Sequence, residues 1–169
     1  SAKTIDALDF PGNAIGGLSV GGEKPFMYRL LEATTPLLDP AKPRYLMGVG
    51  SPDCLIQGVL RGVDMFDCVM QTRMGRTGAA FTRKKRINLR NAQYARDFTP
   101  IEEGCQCPAC KAGFTKAYIR HLIYAQEILA ARLISMHNVY FTIDLMRRMR
   151  EAILQDRMAE FAQENMPDA

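Results

Sequence analysis

No apolar run in this chain approaches the roughly 20 residues that a helix needs to cross a membrane. The opening SAKTIDALDF has neither the charged nor the apolar region of a signal peptide. Both absences point to a soluble, cytoplasmic protein with no membrane partner. Cysteine occurs five times, too seldom and too unevenly for a secreted disulfide framework, because three of the five fall between Cys105 and Cys110. Histidine occurs only at His121 and His137, so any imidazole chemistry has two candidates. From Arg73 to Arg96 there is no Asp or Glu at all, although the whole chain is only mildly basic at +4. That interval holds Arg73, Arg76, Arg83, Lys84, Lys85, Arg86, Arg90 and Arg96. Positive charge concentrated in one stretch is the footprint of a nucleic-acid contact; its plainer reading is a solvated hairpin whose basic edge discourages aggregation.

What is present is ordinary for a globular chain of 169 residues, with 47% apolar and 24% charged residues. After a short amphipathic piece, Thr4 to Phe10, and a turn at Pro11-Gly12-Asn13, Ala14 to Val20 reads as a buried strand leading to Gly21 and Gly22. Phe26, Met27, Leu30, Leu31 and Leu37 give Pro25 to Leu38 a helical face. Arg44 to Gly50 is a second strand ending in glycines, and Ser51 and Pro52 suit the N-cap and first position of a helix through Leu60. Asp64 to Met70 alternates polar and apolar residues as a third short strand, followed by a loop with Thr72, Arg73, Gly75, Arg76 and Gly78. Strands separated by helices at these intervals predict an α/β fold with parallel strands and right-handed crossovers. The carboxyl ends of the strands then bring Gly16-Gly17-Leu18, Met47-Gly48 and Asp67 to one rim. Three strands cannot close a barrel, which takes about eight.

Beyond the loop, Ala79 to Thr82 and Arg86 to Leu89 read as an antiparallel hairpin with Arg83-Lys84-Lys85 at its turn. Cys105, Cys107 and Cys110 offer three thiolates on a tight loop, the donor type that suits a structural zinc ion in a closed four-ligand site. His121 sits in an apolar helical stretch. His137 stands before Asn138 near an expected break between two long helices, Thr115 to Ser135 and Val139 to about Phe161, which favours it as the fourth ligand. The apolar stripe Ile143, Leu145, Met146, Met149, Ile153 and Leu154 reads as core or subunit interface.

The stretches AIGGLSVG, KPRYLMGVGSP, RGVDMFDCVMQTRMGRTGAAFT, INLRNAQYARDF, CQCPAC and ISMHN together resemble the C-terminal half of the bacterial tRNA-guanine transglycosylase family, also called queuine tRNA-ribosyltransferase. The resemblance runs from about Phe10 to Ala152. It implies part of a TIM (β/α)8 barrel with an inserted zinc subdomain and long C-terminal helices, incomplete in this chain. In that scheme 1–78 supplies barrel strands and the catalytic rim, 79–137 the basic hairpin and zinc subdomain, and 138–169 a helical segment packing on the barrel or a dimer partner.

The family exchanges guanine at the wobble position of a tRNA anticodon for a 7-deazaguanine precursor of queuosine, so the partners implied are a tRNA anticodon stem-loop, that base, and a second copy in a homodimer. By position, the resemblance implies that Asp67 is the nucleophile. Gly17, Leu18, Met47 and Gly48 would meet the base. Gly48, Val49, Gly50, Ser51, Pro52, Asp53 and Cys54, with Thr72, Arg73, Met74, Gly75 and Arg76, would contact the RNA. Cys105, Cys107, Cys110 and His137 would hold one structural Zn2+ per chain.

Two departures stand out: the Cys110–His137 interval is one residue longer than usual, and Arg83-Lys84-Lys85 is more basic than the family's turn. The family's acid-base aspartate has no substitute in the sequence, and the first residue is Ser, so the chain reads as a piece of a longer enzyme, inactive alone. Competing expectations are a zinc-stapled RNA-binding module and an accessory subunit that completes a partner.

Overall fold

The computed structural model describes residues 1–18 and 23–166. Its contacts divide the chain into two compact units, residues 1–69 with 151–169, and residues 70–150.

The first unit begins with helix α1 (Ala2–Asp6) and strand β1 (Asn13–Ile15). Helix α2 (Lys24–Thr34) carries Pro25 in its first turn, where a missing N–H is harmless, and buries Met27 and Leu31. A 3-10 turn at Thr35–Leu37, containing Pro36, ends the helical run. Strand β2 (Arg44–Leu46), helix α3 (Pro52–Leu60) and strand β3 (Met65–Phe66) follow. The strands lie in the order β1-β2-β3, all parallel, with Asn13 opposite Arg44, Ile15 opposite Leu46 and Leu46 opposite Phe66. Loop backbone lengthens this short ladder: the Asn13 N–H donates to the Pro43 carbonyl at 2.9 Å, Met47 to Ile15 at 3.0 Å, and Asp64 to Arg44 at 2.9 Å.

Parallel neighbours cannot be joined by a tight turn, so each connection is a helix, and the helices cover one face. Ile15, Met27, Leu31, Leu38, Leu46, Val49, Cys54 and Val63 form the core there. Leu31 and Leu46 are fully enclosed, worth about 1.5–3 kcal/mol each in apolar burial. Ala14, Tyr45 and Met65, aligned by the register, belong to the opposite face; Met65 is 51% exposed. Helix α8 (Met158–Asn165) packs on α3 and buries Phe161 and Ala162.

The second unit opens with helix α4 (Met70–Thr77). Two sequence expectations are corrected at this point. The third strand is paired only at Met65–Phe66, and Thr72 to Arg76 are helical rather than looped. Their glycines suggested a loop, but Gly75 serves packing. A Cβ built on it would lie 2.8 and 2.9 Å from the Ser135 backbone nitrogen and Cα, so only glycine lets the two helices meet this closely. Gly78, at φ 88°, ends the helix. The expected hairpin follows as β4 (Ala79–Ala80) and β5 (Ile87–Asn88), antiparallel, with Ala80 opposite Ile87.

Helices α5 (Pro108–Lys111), α6 (Lys116–Tyr124) and α7 (Ile128–Leu154) complete the order. The expected break near Asn138 is absent, since α7 runs unbroken through His137 and Asn138. The turns fall instead at Gln126, with φ 60°, and Asp156, with φ 54°. Two polar residues inside a helix suggested an interruption, whereas both are buried and hydrogen-bonded. The Asn138 side-chain amide donates to the carbonyls of Gln71 and Ala79, both at 3.0 Å, and its oxygen accepts from the Phe81 N–H at 3.0 Å. The core of this unit includes Ala80, Leu89, Ile101, Ile119, Leu133 and Ile134. Of the apolar stripe on α7, Leu145 and Met149 are buried while Ile143, Ile153 and Leu154 are exposed. The strand expected over Ala14 to Val20 ends at Ile15, with Gly16 to Leu18 outside it, while Ser19 and Val20 and the expected glycine loop at Gly21 and Gly22 lie outside the described residues.

Gly75→Ala should lower stability by about 1–3 kcal/mol through overpacking against Ser135, read as a drop in urea midpoint with an unchanged slope.

Candidate functional site

The rim of the first unit follows from strand direction. Parallel strands place the segments after Ile15, Leu46 and Phe66 at the same edge, and these are Gly16 to Leu18, Met47 to Gly48, and Asp67. Gly17, Met47, Gly48 and Asp67 are exposed, whereas Leu18 is half-buried against the core. Two hydrogen bonds converge on one oxygen of Asp67: the Tyr45 hydroxyl donates to Oδ1 at 2.7 Å and the Gly48 N–H donates to it at 2.8 Å. Gly48 turns its amide there with φ 75°, a left-handed conformation that a side chain would strain. The Tyr45 bond, then the Gly48 amide, hold the Asp67 carboxyl below its usual range, and the same hydrogen bond, with partial burial, pushes the Tyr45 hydroxyl up. Asp67 is thus an ionised, solvent-accessible carboxylate with a fixed orientation. Its partner Tyr45 was missed in the sequence; its place in register beside Met65, two residues before Asp67, was the available signal.

Of the stretch 48–54, Val49, Gly50 and Cys54 are buried, and Ser51, Pro52 and Asp53 are half-buried. Ser51 sits at the N-cap of α3 without a side-chain capping bond. Asp53 pairs with Lys24, and the Cys54 thiol lies 3.5 Å from the Tyr28 hydroxyl. These contacts tie the loop to the start of α2.

In the second unit, Cys105, Cys107, Cys110 and His137 bring their four donor atoms within 4.8 Å of one another. Cys107, Cys110 and His137 are buried. His137 Nδ1 lies 3.7, 3.5 and 3.5 Å from the sulfurs of Cys105, Cys107 and Cys110. A tetrahedral ion at ordinary zinc bond lengths sets sulfur and nitrogen ligands about 3.6 Å apart, so the group fits such an ion without rearrangement. The His137 Nε2–H donates to the Phe81 carbonyl at 2.7 Å, which leaves Nδ1 as the lone-pair donor facing the thiols.

The amides of Cys107 and Cys110 point at the sulfurs of Cys105, at 3.4 Å, and Cys107, at 3.3 Å. Burial pushes the Cys105 thiol up; sharing a hydrogen bond with Cys110 pushes Cys107 up and Cys110 down. Three sulfurs this close together, two of them buried, cannot all be anionic without a cation among them. The group can therefore hold a metal ion. His121, the other imidazole, is exposed on α6 and is not in the cluster.

On α4, Thr72, Arg73 and Arg76 are exposed, Met74 is half-buried and Gly75 is buried. Arg83, Lys84, Lys85 and Arg86 are all exposed at the hairpin turn.

A family model described as "Queuine tRNA-ribosyltransferase" matches residues 1–168. The chain belongs to the queuine tRNA-ribosyltransferase family. A queuine tRNA-ribosyltransferase of Pelotomaculum thermopropionicum is 60% identical over 161 residues, 95% of this chain and 43% of that relative. Those of Geobacillus thermodenitrificans and Bacillus subtilis are 58% and 57% identical over 164 residues, each match taking in 97% of this chain and 43% of the relative. The chain spans less than half the length of these queuine tRNA-ribosyltransferases. Among the described residues no helix is long and apolar enough to cross a membrane.

Tyr45→Phe should raise the Asp67 pKa toward the ordinary carboxylate value, measured by carbon-detected NMR titration. A carboxyl lowered in the fold stabilises the fold above the unfolded pKa, and that contribution is lost as pH falls through the folded one. The variant should lose this part of the acid dependence. Separately, stripping the chain with a chelator should release one metal equivalent and expose the three cluster thiols to a thiol reagent, and Cys107→Ser should abolish stoichiometric uptake.

Proposed function

We propose that this chain forms the nucleophile-bearing part of a tRNA base-exchange enzyme that replaces guanine at the anticodon wobble position with a 7-deazaguanine precursor of queuosine. The observation that carries the reading is Asp67: a carboxylate kept ionised and aimed by Tyr45 and Gly48 at the carboxyl-end rim of parallel strands. In the first displacement an Asp67 oxygen bonds to the anomeric carbon of the target ribose as the bond from that carbon to guanine breaks. In the second, the incoming base bonds to the same carbon, the ester bond breaks, and Asp67 is returned as a carboxylate. Two inversions retain the anomeric configuration. The proton that neutralises the departing guanine must come from another acid, because Asp67 is held ionised.

Gly17, Leu18, Met47 and Gly48 are assigned to the base, supported by their place on the same rim. Residues 48–54 and 72–76 are assigned to single-stranded anticodon nucleotides, with Arg73 and Arg76 exposed and suited to phosphate or base edges. The metal is assigned as one structural Zn2+ on Cys105, Cys107, Cys110 and His137, where it would neutralise the thiolates and take no part in the exchange.

We assign the sheet to part of a TIM barrel. Ala14, Tyr45 and Met65 lie on the face such a barrel would enclose, and Asp67 would stand at its carboxyl-end rim. Residues 1–78, 79–137 and 138–169 then supply the barrel rim, the hairpin with the zinc subdomain, and the helical segment. A homodimer is supported by the apolar groove of about 460 Å3 along α7, lined by Pro108, Met136, Val139 and Ile143 among others.

The test is denaturing electrophoresis of the chain with an anticodon stem-loop and a competing base analogue. A shifted protein band that vanishes in Asp67→Asn supports the covalent reading. RNA retained on a filter without any such band, even after the rest of a relative's chain is supplied, favours a zinc-stabilised RNA-binding module. A band that forms only with that added chain marks an accessory or split arrangement.

A further inference from the structure

The hairpin turn between β4 and β5 is the most basic exposed surface that the proposed site does not use. Arg83, Lys84, Lys85 and Arg86 are consecutive and exposed, and none forms an ion pair among the described residues. The turn is held in shape from within. The Thr82 N–H and hydroxyl both donate to the Lys85 carbonyl, at 3.2 and 2.7 Å, and the Arg83 N–H donates to Glu102 at 2.7 Å. Four cations are thus presented on a defined scaffold rather than a loose loop.

Chemistry narrows the ligand. The turn has no aromatic residue to stack a base, and two of its four cations are lysines, compact point charges that suit phosphates. It has no apolar side chain to enter a lipid bilayer, and Glu102 and Glu103 share the adjoining cleft of about 420 Å3 with Arg83, Lys84 and Lys85. A flat anionic sheet would meet those carboxylates; a phosphate ridge can pass beside them. From Arg76 on α4 to Arg83 the chain can extend at most about 24 Å, so one RNA can reach both sets of cations.

We infer that the hairpin turn Arg83–Arg86 grips the phosphate backbone of the double-helical stem of the RNA whose loop meets Arg73 and Arg76. The inference rests on the tRNA reading above and deepens it. The turn adds affinity without sequence preference, by releasing counterions from the stem.

The experiment compares two RNA probes, an anticodon stem-loop and the same loop as a single-stranded oligonucleotide, over a series of salt concentrations. The proteins are the metal-loaded chain, the triple variant Arg83→Ser, Lys84→Ser, Lys85→Ser, and the double variant Arg73→Ser, Arg76→Ser. Circular dichroism and metal content confirm folding, and Thr82 is kept so that the turn remains. The triple variant is expected to bind the stem-loop at least tenfold more weakly at low salt, with its log–log salt slope reduced by about 2–3, and to bind the single strand as the parent does. An unchanged stem-loop affinity and slope overturns the inference, as does an equal loss for both probes. If only the double variant then loses binding, the tRNA reading survives without the stem contact. If the parent chain binds neither probe, both readings fall. Flotation with phosphatidylserine vesicles that depends on the turn, with RNA binding intact in the triple variant, overturns the inference in favour of a lipid surface.

Discussion

His137 must keep Nδ1 free of a proton if three cysteine sulfurs are to share an ion with it, and the Phe81 carbonyl, 2.7 Å from Nε2, makes that tautomer the stable one. The neighbouring residue completes the arrangement: Asn138 accepts from the Phe81 N–H, so the backbone of Phe81 is bound on both sides by consecutive residues of one helix. The same amide donates to Ala79 and Gln71, which joins α4, the hairpin and α7. Leaving any of these buried groups unpaired costs about 1–3 kcal/mol. The orientation of the histidine donor and the position of the hairpin are therefore set by one short polar stretch in the middle of a helix.

In the other unit the governing constraint is topological. Parallel strands require crossovers, crossovers put helices on a face, and the strand ends then collect at one edge. That is why residues as far apart as Gly17, Gly48 and Asp67 reach the same rim while each strand pairs for only two or three residues. The helices bury Leu31 and Leu46 on one side. The other side keeps Met65 open.

Much of this was legible in the sequence because the signals are local. Pro25, Pro36 and Pro52 marked helix limits, glycines marked strand ends, and three cysteines within six residues announced a metal site. Two elements were misread for a shared reason. Gly75 and Asn138 are residues that ordinarily interrupt helices, and both lie inside one because of something distant in the chain: the Ser135 backbone for Gly75, and the carbonyls of Gln71 and Ala79 for Asn138. Propensity describes a residue among its neighbours and carries no information about such partners. Tyr45 was overlooked likewise, because its link to Asp67 exists only through strand register.

The placement of both Asp67 hydrogen bonds on Oδ1 makes its two oxygens inequivalent. An ester formed through Oδ2 would keep Oδ1 as its carbonyl oxygen, already cradled by a hydroxyl and a backbone amide. On breaking of such an ester the same donors would receive the charge that spreads back over the carboxylate, which would favour Asp67 as a leaving group. The two oxygens would then have separate isotopic histories: oxygen-18 placed in the attacking atom would return to that atom after turnover, unless the carboxylate rotates faster than the RNA departs.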